Sequence, residues 1–147
     1  MKRTQFKTLA KSILLGTLTA MLLFSFSSCA TKARFAISSV VPAAQGYVKV
    51  KKDKNNNYAI KIEIINLAES SRLQPPRKTY VVWLVSNKDE TRNIGQVNTS
   101  SGTFSRKLKA SFSTVSSFNP VKIFITAEDD PAILYPSTQV VLSTNRF

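Results

Sequence analysis

Eight carboxylates, one cysteine and no histidine bound the carboxylate, thiol and metal chemistry open to this 147-residue chain. Without histidine the chain lacks the side chain that most readily exchanges a proton near neutrality. With one cysteine it has neither an intrachain disulfide nor a His/Cys metal site. Two carboxylates suffice for glycoside hydrolysis, and the pairs to consider are Asp129 with Glu63 or with Glu128. Glu128-Asp129-Asp130 also invites a hard cation, but adjacent positions rarely converge on one ion, the spacing is not that of an EF-hand loop, and Asp-Asp-Pro131 is turn sequence. No catalytic residue, cofactor site or metal site is therefore assigned. Binding without chemistry is the expected mode of action, and a carboxylate-dependent enzyme acting on a glycan is the alternative.

Cys29 belongs to a different chemistry. Lys2, Arg3, Lys7 and Lys11 precede an uncharged, apolar-rich run from Ser12 to Phe26 that ends in Ser27-Ser28-Cys29. A basic flank, a short apolar run and small residues at its end make a secretory signal. Phe26-Ser-Ser-Cys29 resembles the lipobox of bacterial lipoproteins, with phenylalanine where leucine is usual. That resemblance implies cleavage before Cys29 and its acylation, with palmitate-type chains that bind a bilayer at about 0.8 kcal/mol per buried methylene. Residues 1–28 are then a signal peptide and 29–34 a lipid-anchored tether. Ala30-Thr-Lys-Ala-Arg34 carries neither an aspartate beside the cysteine nor an acidic export tag, so by the same analogy the protein faces the periplasm from the outer membrane.

Four of the 21 basic residues precede Cys29, which leaves 17 against 8 acidic ones in the mature chain. The excess is spread over Lys49 to Lys54, Arg72 to Lys78 and Arg106 to Lys109. An anionic polymer or protein of the envelope is the partner this charge implies. Lysines interleaved with Tyr47, Tyr58 and Tyr80 would also suit a single-stranded nucleic acid, a reading that export disfavours.

The elements that must position these groups read as strands. Tyr80-Val-Val-Trp-Leu-Val85 is apolar on both faces and predicts a central strand that needs cover on both. Phe35 to Val41 predicts a first strand ended by Pro42. Tyr47–Lys52 and Tyr58–Ile64 alternate apolar and polar residues on either side of the turn formers Asp53 to Asn57, which predicts a hairpin with its lysines outward. Leu67 to Lys78 reads as a crossover, Asn87 to Asn93 as a charged turn, and Ile94–Val97 as a short strand before a turn at Asn98 to Gly102. Thr103–Phe112 reads as a strand, and Ser113 to Ser117 leaves room for a short helical turn. Val121–Ala127 predicts a second buried strand, and Thr138–Ser143 a last one. At 147 residues the chain has room for one core, so 35–147 is expected to be a single all-β domain, an antiparallel immunoglobulin-like sandwich of about seven strands.

Tyr80-Val-Val-Trp-Leu-Val85, Ile94-Gly-Gln-Val97, and Phe124-Ile-Thr-Ala-Glu128 followed by Pro136-Ser-Thr-Gln-Val-Val-Leu142 resemble, in order, pieces of the extracytoplasmic C-terminal domain of the anti-sigma-K factor family. The resemblance covers about 65 residues and lacks the glycine-glycine-serine that the family has after the glutamate. It implies a sandwich outside the membrane that acts as a sensory, structural or interaction module. Members that bind a sigma factor do so through a cytoplasmic domain ahead of a membrane helix. Only eleven residues precede the apolar run here, so sigma binding is not expected.

Overall fold

The computed structural model describes residues 30–97, 99–101 and 108–147, which leaves the signal segment, Cys29, both ends of the expected Asn98–Gly102 turn and the 103–107 half of the expected Thr103–Phe112 strand outside the described residues. The described chain is a two-sheet antiparallel sandwich. One sheet has the order β1 (Ala30–Arg34), β2 (Gln45–Lys52), β3 (Tyr58–Ile65), β7 (Leu108–Ser116), with the two-residue β6 (Ser100–Ser101) beside the start of β7. The other has the order β5 (Thr91–Val97), β4 (Thr79–Ser86), β8 (Pro120–Glu128), β9 (Val140–Ser143). The chain changes sheets after β3, β5 and β7, as the immunoglobulin-like reading requires. The strands beyond the expected seven are β1 and β6.

Alternation sets the core. Val48, Val50, Ile60, Ile62, Ile64 and Ala110 of the first sheet meet Tyr80, Val82, Leu84, Ile123, Ile125 and Ala127 of the second, and burial of these side chains is the main favourable term. The Tyr80 hydroxyl donates to the Ala68 carbonyl at 2.8 Å, and burial pushes its phenol up to about 12. A pKa raised in the folded state means full stability below the ordinary value near 10 and a loss as pH rises from there towards 12. In urea titrations at pH 8 to 12, the Tyr80→Phe chain is expected to lose less stability over the last two units than the unsubstituted chain. Equal slopes would refute this.

Three sequence expectations are corrected. Residues 31–34 are no free tether: β1 pairs along its whole length with β2, from Ala30 opposite Lys51 to Arg34 opposite Tyr47. Phe35 to Val41 is no strand. Phe35 makes one isolated bridge to Thr144. The Ser38 hydroxyl then accepts the amides of Val40 and Val41 at 3.1 and 2.9 Å. Such local bonds offer the backbone an alternative to a ladder, and the turn they make buries Val41 and Ala44 against the core. Ser113 to Ser116 likewise forms no helical turn, because pairing with Tyr58–Lys61 satisfies its backbone.

The central strand lies where it was expected, between β5 and β8. Its second face is covered differently from its first. Val81 and Trp83 alternate with the core residues and point away from the first sheet, yet both are fully buried. Asn93, directly opposite Trp83 on β5, donates to the carbonyls of Pro131 and Ile133 at 2.9 and 3.0 Å. The β8–β9 connection is thus strapped across the outer face of the second sheet.

Candidate functional site: a basic sheet face

The strap occupies the outer face of one sheet, and the outer face of the other is open. Strand register decides which side chains meet there. Arg34, Tyr47, Glu63 and Ser111 form one row across four strands, and Lys32, Lys49, Lys61 and Ser113 the next. Lys51 lies beyond the second row and Lys109 beyond the first. Six cations thus share a face with one carboxylate, Glu63. They stand there because the alternate positions of the same strands are the valines and isoleucines of the core.

Glu63 is fully engaged. One carboxylate oxygen accepts the Lys61 ammonium at 2.8 Å and the other the Tyr47 hydroxyl at 2.6 Å. Lys61 first, and then Tyr47, hold Glu63 below the ordinary carboxylate value. Reciprocally, the bond to Glu63 raises both Tyr47 and Lys61. The Lys32 ammonium lies 4.0 Å from the centre of the Tyr47 ring, a cation–π contact. Among the described residues no carboxylate pairs with Lys49, Lys51 or Lys109. Lys49 faces Lys32 on one side and Lys61 on the other, and like charges directly opposite are destabilising.

At the Arg34 end the face runs into a groove of about 660 Å³ lined by Arg34, Phe35, Ile37, Pro42, Tyr47 and Glu63. Ile37 is 91% exposed at its rim. The bend at Ser38 that replaces the expected first strand forms one wall. The groove combines a guanidinium able to grip an oxyanion with two forked bonds, a phenol, and apolar surface.

The hairpin lysines expected to face outward do so. What sequence reasoning missed is the width of the face: Lys32 and Arg34 were assigned to a tether, and Lys109 to another strand with no stated neighbour. The signal was present in β1, where Lys32 and Arg34 alternate with small residues in the same phase as Lys49 and Lys51.

The acidic residues considered for chemistry go elsewhere. Glu63 lies on the outer face of the first sheet, while Glu128 ends β8 in the second, buried and accepting the Ser137 amide at 2.9 Å. Asp129 is exposed and takes the Arg77 guanidinium at 2.6 Å, and Asp130 accepts the Ala132 amide within its own turn. The three consecutive carboxylates therefore address three different partners. No family model, curated protein or solved structure matches the chain.

Proposed function

We propose that the chain is a lipid-anchored binding module of the cell envelope, held at the outer membrane through acylated Cys29, with its basic sheet face taking an anionic envelope polymer. The observation that carries this reading is the face itself: among the described residues six cations share it with a single carboxylate. A face selected only for solubility would mix charge signs. Here Lys49 is kept between two other lysines at a cost in stability that a bound polyanion would relieve. The partly apolar groove beside Arg34 suits a sugar unit bearing a carboxylate or phosphate. The resemblance of three segments to an extracytoplasmic sensory or interaction domain is consistent with this reading, and the shortage of acid–base residues favours binding over catalysis.

Lys49→Thr separates this reading from that of a merely solvated face. Removing the middle lysine is expected to stabilise the fold by about 0.5 kcal/mol, while binding to an anionic polysaccharide weakens several-fold and its salt dependence becomes shallower. Unchanged binding, or none by the unsubstituted chain, would sink the proposal for the face. The anchor is tested by the mass of the N-terminal peptide from membrane fractions, which is expected to begin at an acylated Cys29, with Cys29→Ser for comparison. Both forms keeping the full precursor mass in the membrane would refute it.

A further inference from the structure

The strand that replaces the expected tether fixes how an anchored domain must stand. Ala30 is already paired with Lys51, and consecutive Cα atoms are only about 3.8 Å apart. An acylated Cys29 would therefore hold the sandwich with no slack, and the end at which β1 begins would rest on the headgroups.

That end is formed by the β2–β3 turn, the β4–β5 turn, the β7–β8 turn and the last residues of the chain. The Asn87 amide bonds the Asn119 carbonyl at 3.0 Å and the Phe147 amide the Val121 carbonyl at 2.9 Å, which ties the last three segments together, and the pairing of Tyr58 with Ser116 sets the β2–β3 turn beside them. Its acidic groups are already spent. Asp89 pairs with Arg146 at 2.8 Å and Glu90 with Arg92 at 2.9 Å. One oxygen of Asp53 accepts the amides of Asn55 and Asn57, each at 2.8 Å, and so closes its own turn. Lys51, Lys52, Lys54 and Lys88 have no carboxylate partner among the described residues. Exposed apolar groups accompany them: Val115 is 65% exposed, and Phe118 in the β7–β8 turn is 36% exposed with Arg92 over its ring at 3.9 Å. Lysines that reach phosphate beside aromatic and aliphatic groups at headgroup depth are the composition of a membrane-surface contact.

We propose that this end of the sandwich is a membrane-contact pole, in which Lys52, Lys54 and Lys88 bind anionic phospholipid headgroups while Phe118 enters the interface. The proposal rests on the anchor reading for its geometry and on the charge balance of the pole for its chemistry. With the pole on the membrane, the basic sheet face stands at right angles to the bilayer, and the groove beside Arg34 lies at the far end, open to the envelope.

The test uses the full chain, made in a bacterium that acylates lipoproteins and reconstituted in vesicles of phosphatidylethanolamine and phosphatidylglycerol. Lysines are labelled with an amine-acylating reagent, with the Cys29→Ser chain in buffer as reference. Lys52, Lys54 and Lys88 are expected to react several-fold more slowly on vesicles, and Lys61 and Lys109 at unchanged rates. Uniform reactivity, or protection of Lys61 and Lys109 instead, overturns the pole. The N-terminal peptide of the same digest reports acylation separately. If Cys29 carries no lipid, the anchor reading fails and the pole is read from sedimentation of the unanchored chain with the same vesicles. Replacing Lys52, Lys54 and Lys88 together by glutamine is then expected to weaken sedimentation by roughly a hundredfold. No sedimentation of the unsubstituted chain, or equal sedimentation of both, overturns the proposal.

Discussion

Replacing Trp83 by alanine is expected to cost about 3–5 kcal/mol, the range for deleting a large aromatic side chain from a packed interior. Three observations place this site at the upper end. The indole is fully buried, it stacks on Phe124 with ring centres 6.2 Å apart and planes within 14°, and its Nε1 donates to the Thr126 hydroxyl at 2.7 Å. The hydroxyl is itself fully buried, so losing the indole strands a polar group as well as opening a cavity. Trp83→Phe divides the effects: it keeps a ring against Phe124 but removes the donor, and should cost about 1–3 kcal/mol. Urea denaturation of both variants decides the matter. A Trp83→Ala chain within about 1 kcal/mol of the unsubstituted one would mean that the strap does not hold the indole as described. Because Trp83 lies under the β8–β9 strap and not between the sheets, its loss should also loosen residues 129–139, visible as faster amide exchange there than in β2 and β3.

Gly95→Ala is expected to cost about 2–4 kcal/mol through two separable causes, backbone strain and overpacking. Val82 pairs with Gly95 and Trp83 with Asn93, so Ile94 is the extra residue of a β-bulge, and Gly95 adopts φ +134°, a region that residues with a Cβ rarely enter. An added Cβ would also lie 2.8 Å from Cε2 of Phe112 across the sandwich. The bulge matters because Asn93 links it to the strap: its Oδ1 accepts the Gly95 amide at 3.0 Å while its Nδ2 holds the two strap carbonyls. Adding Phe112→Leu to Gly95→Ala should recover the packing part and leave the strain. A double-mutant cycle measures this coupling, and additive costs would show that the Phe112 contact is not what resists the methyl group.

Much of the fold was written in side-chain period. Ile60, Ile62 and Ile64 against Lys61 and Glu63, and Ile123, Ile125 and Ala127 on β8, declare both the strands and their inward faces, since a pleated strand sends successive side chains to opposite sides. The unbroken run Tyr80–Val85 likewise declares a strand covered twice. Period cannot say which strand neighbours which, or what supplies the second cover. Ala30–Arg34 has too little apolar surface to announce a strand and becomes one because β2 offers it a free edge. Phe35–Val41 has enough to announce a strand, but the Ser38 hydroxyl captures its amides first.

The same division runs through the candidate site. The sequence alone determined that the chain has no histidine, that its single cysteine can form neither an intrachain disulfide nor a His/Cys metal site, and that the hairpin lysines face away from the core. It was pairing register, a contact between residues far apart in sequence, that set Lys32 and Arg34 beside Lys49 and Lys61 and added Lys109 from β7. Register too left Lys49 between two like charges and gave Glu63 the Tyr47 hydroxyl, while Lys61, two residues earlier on the same strand, follows from period alone. Charge is local to a residue and can be read from a string. A charged face is a property of neighbours, and neighbours are chosen only when the backbone hydrogen bonds of distant strands close.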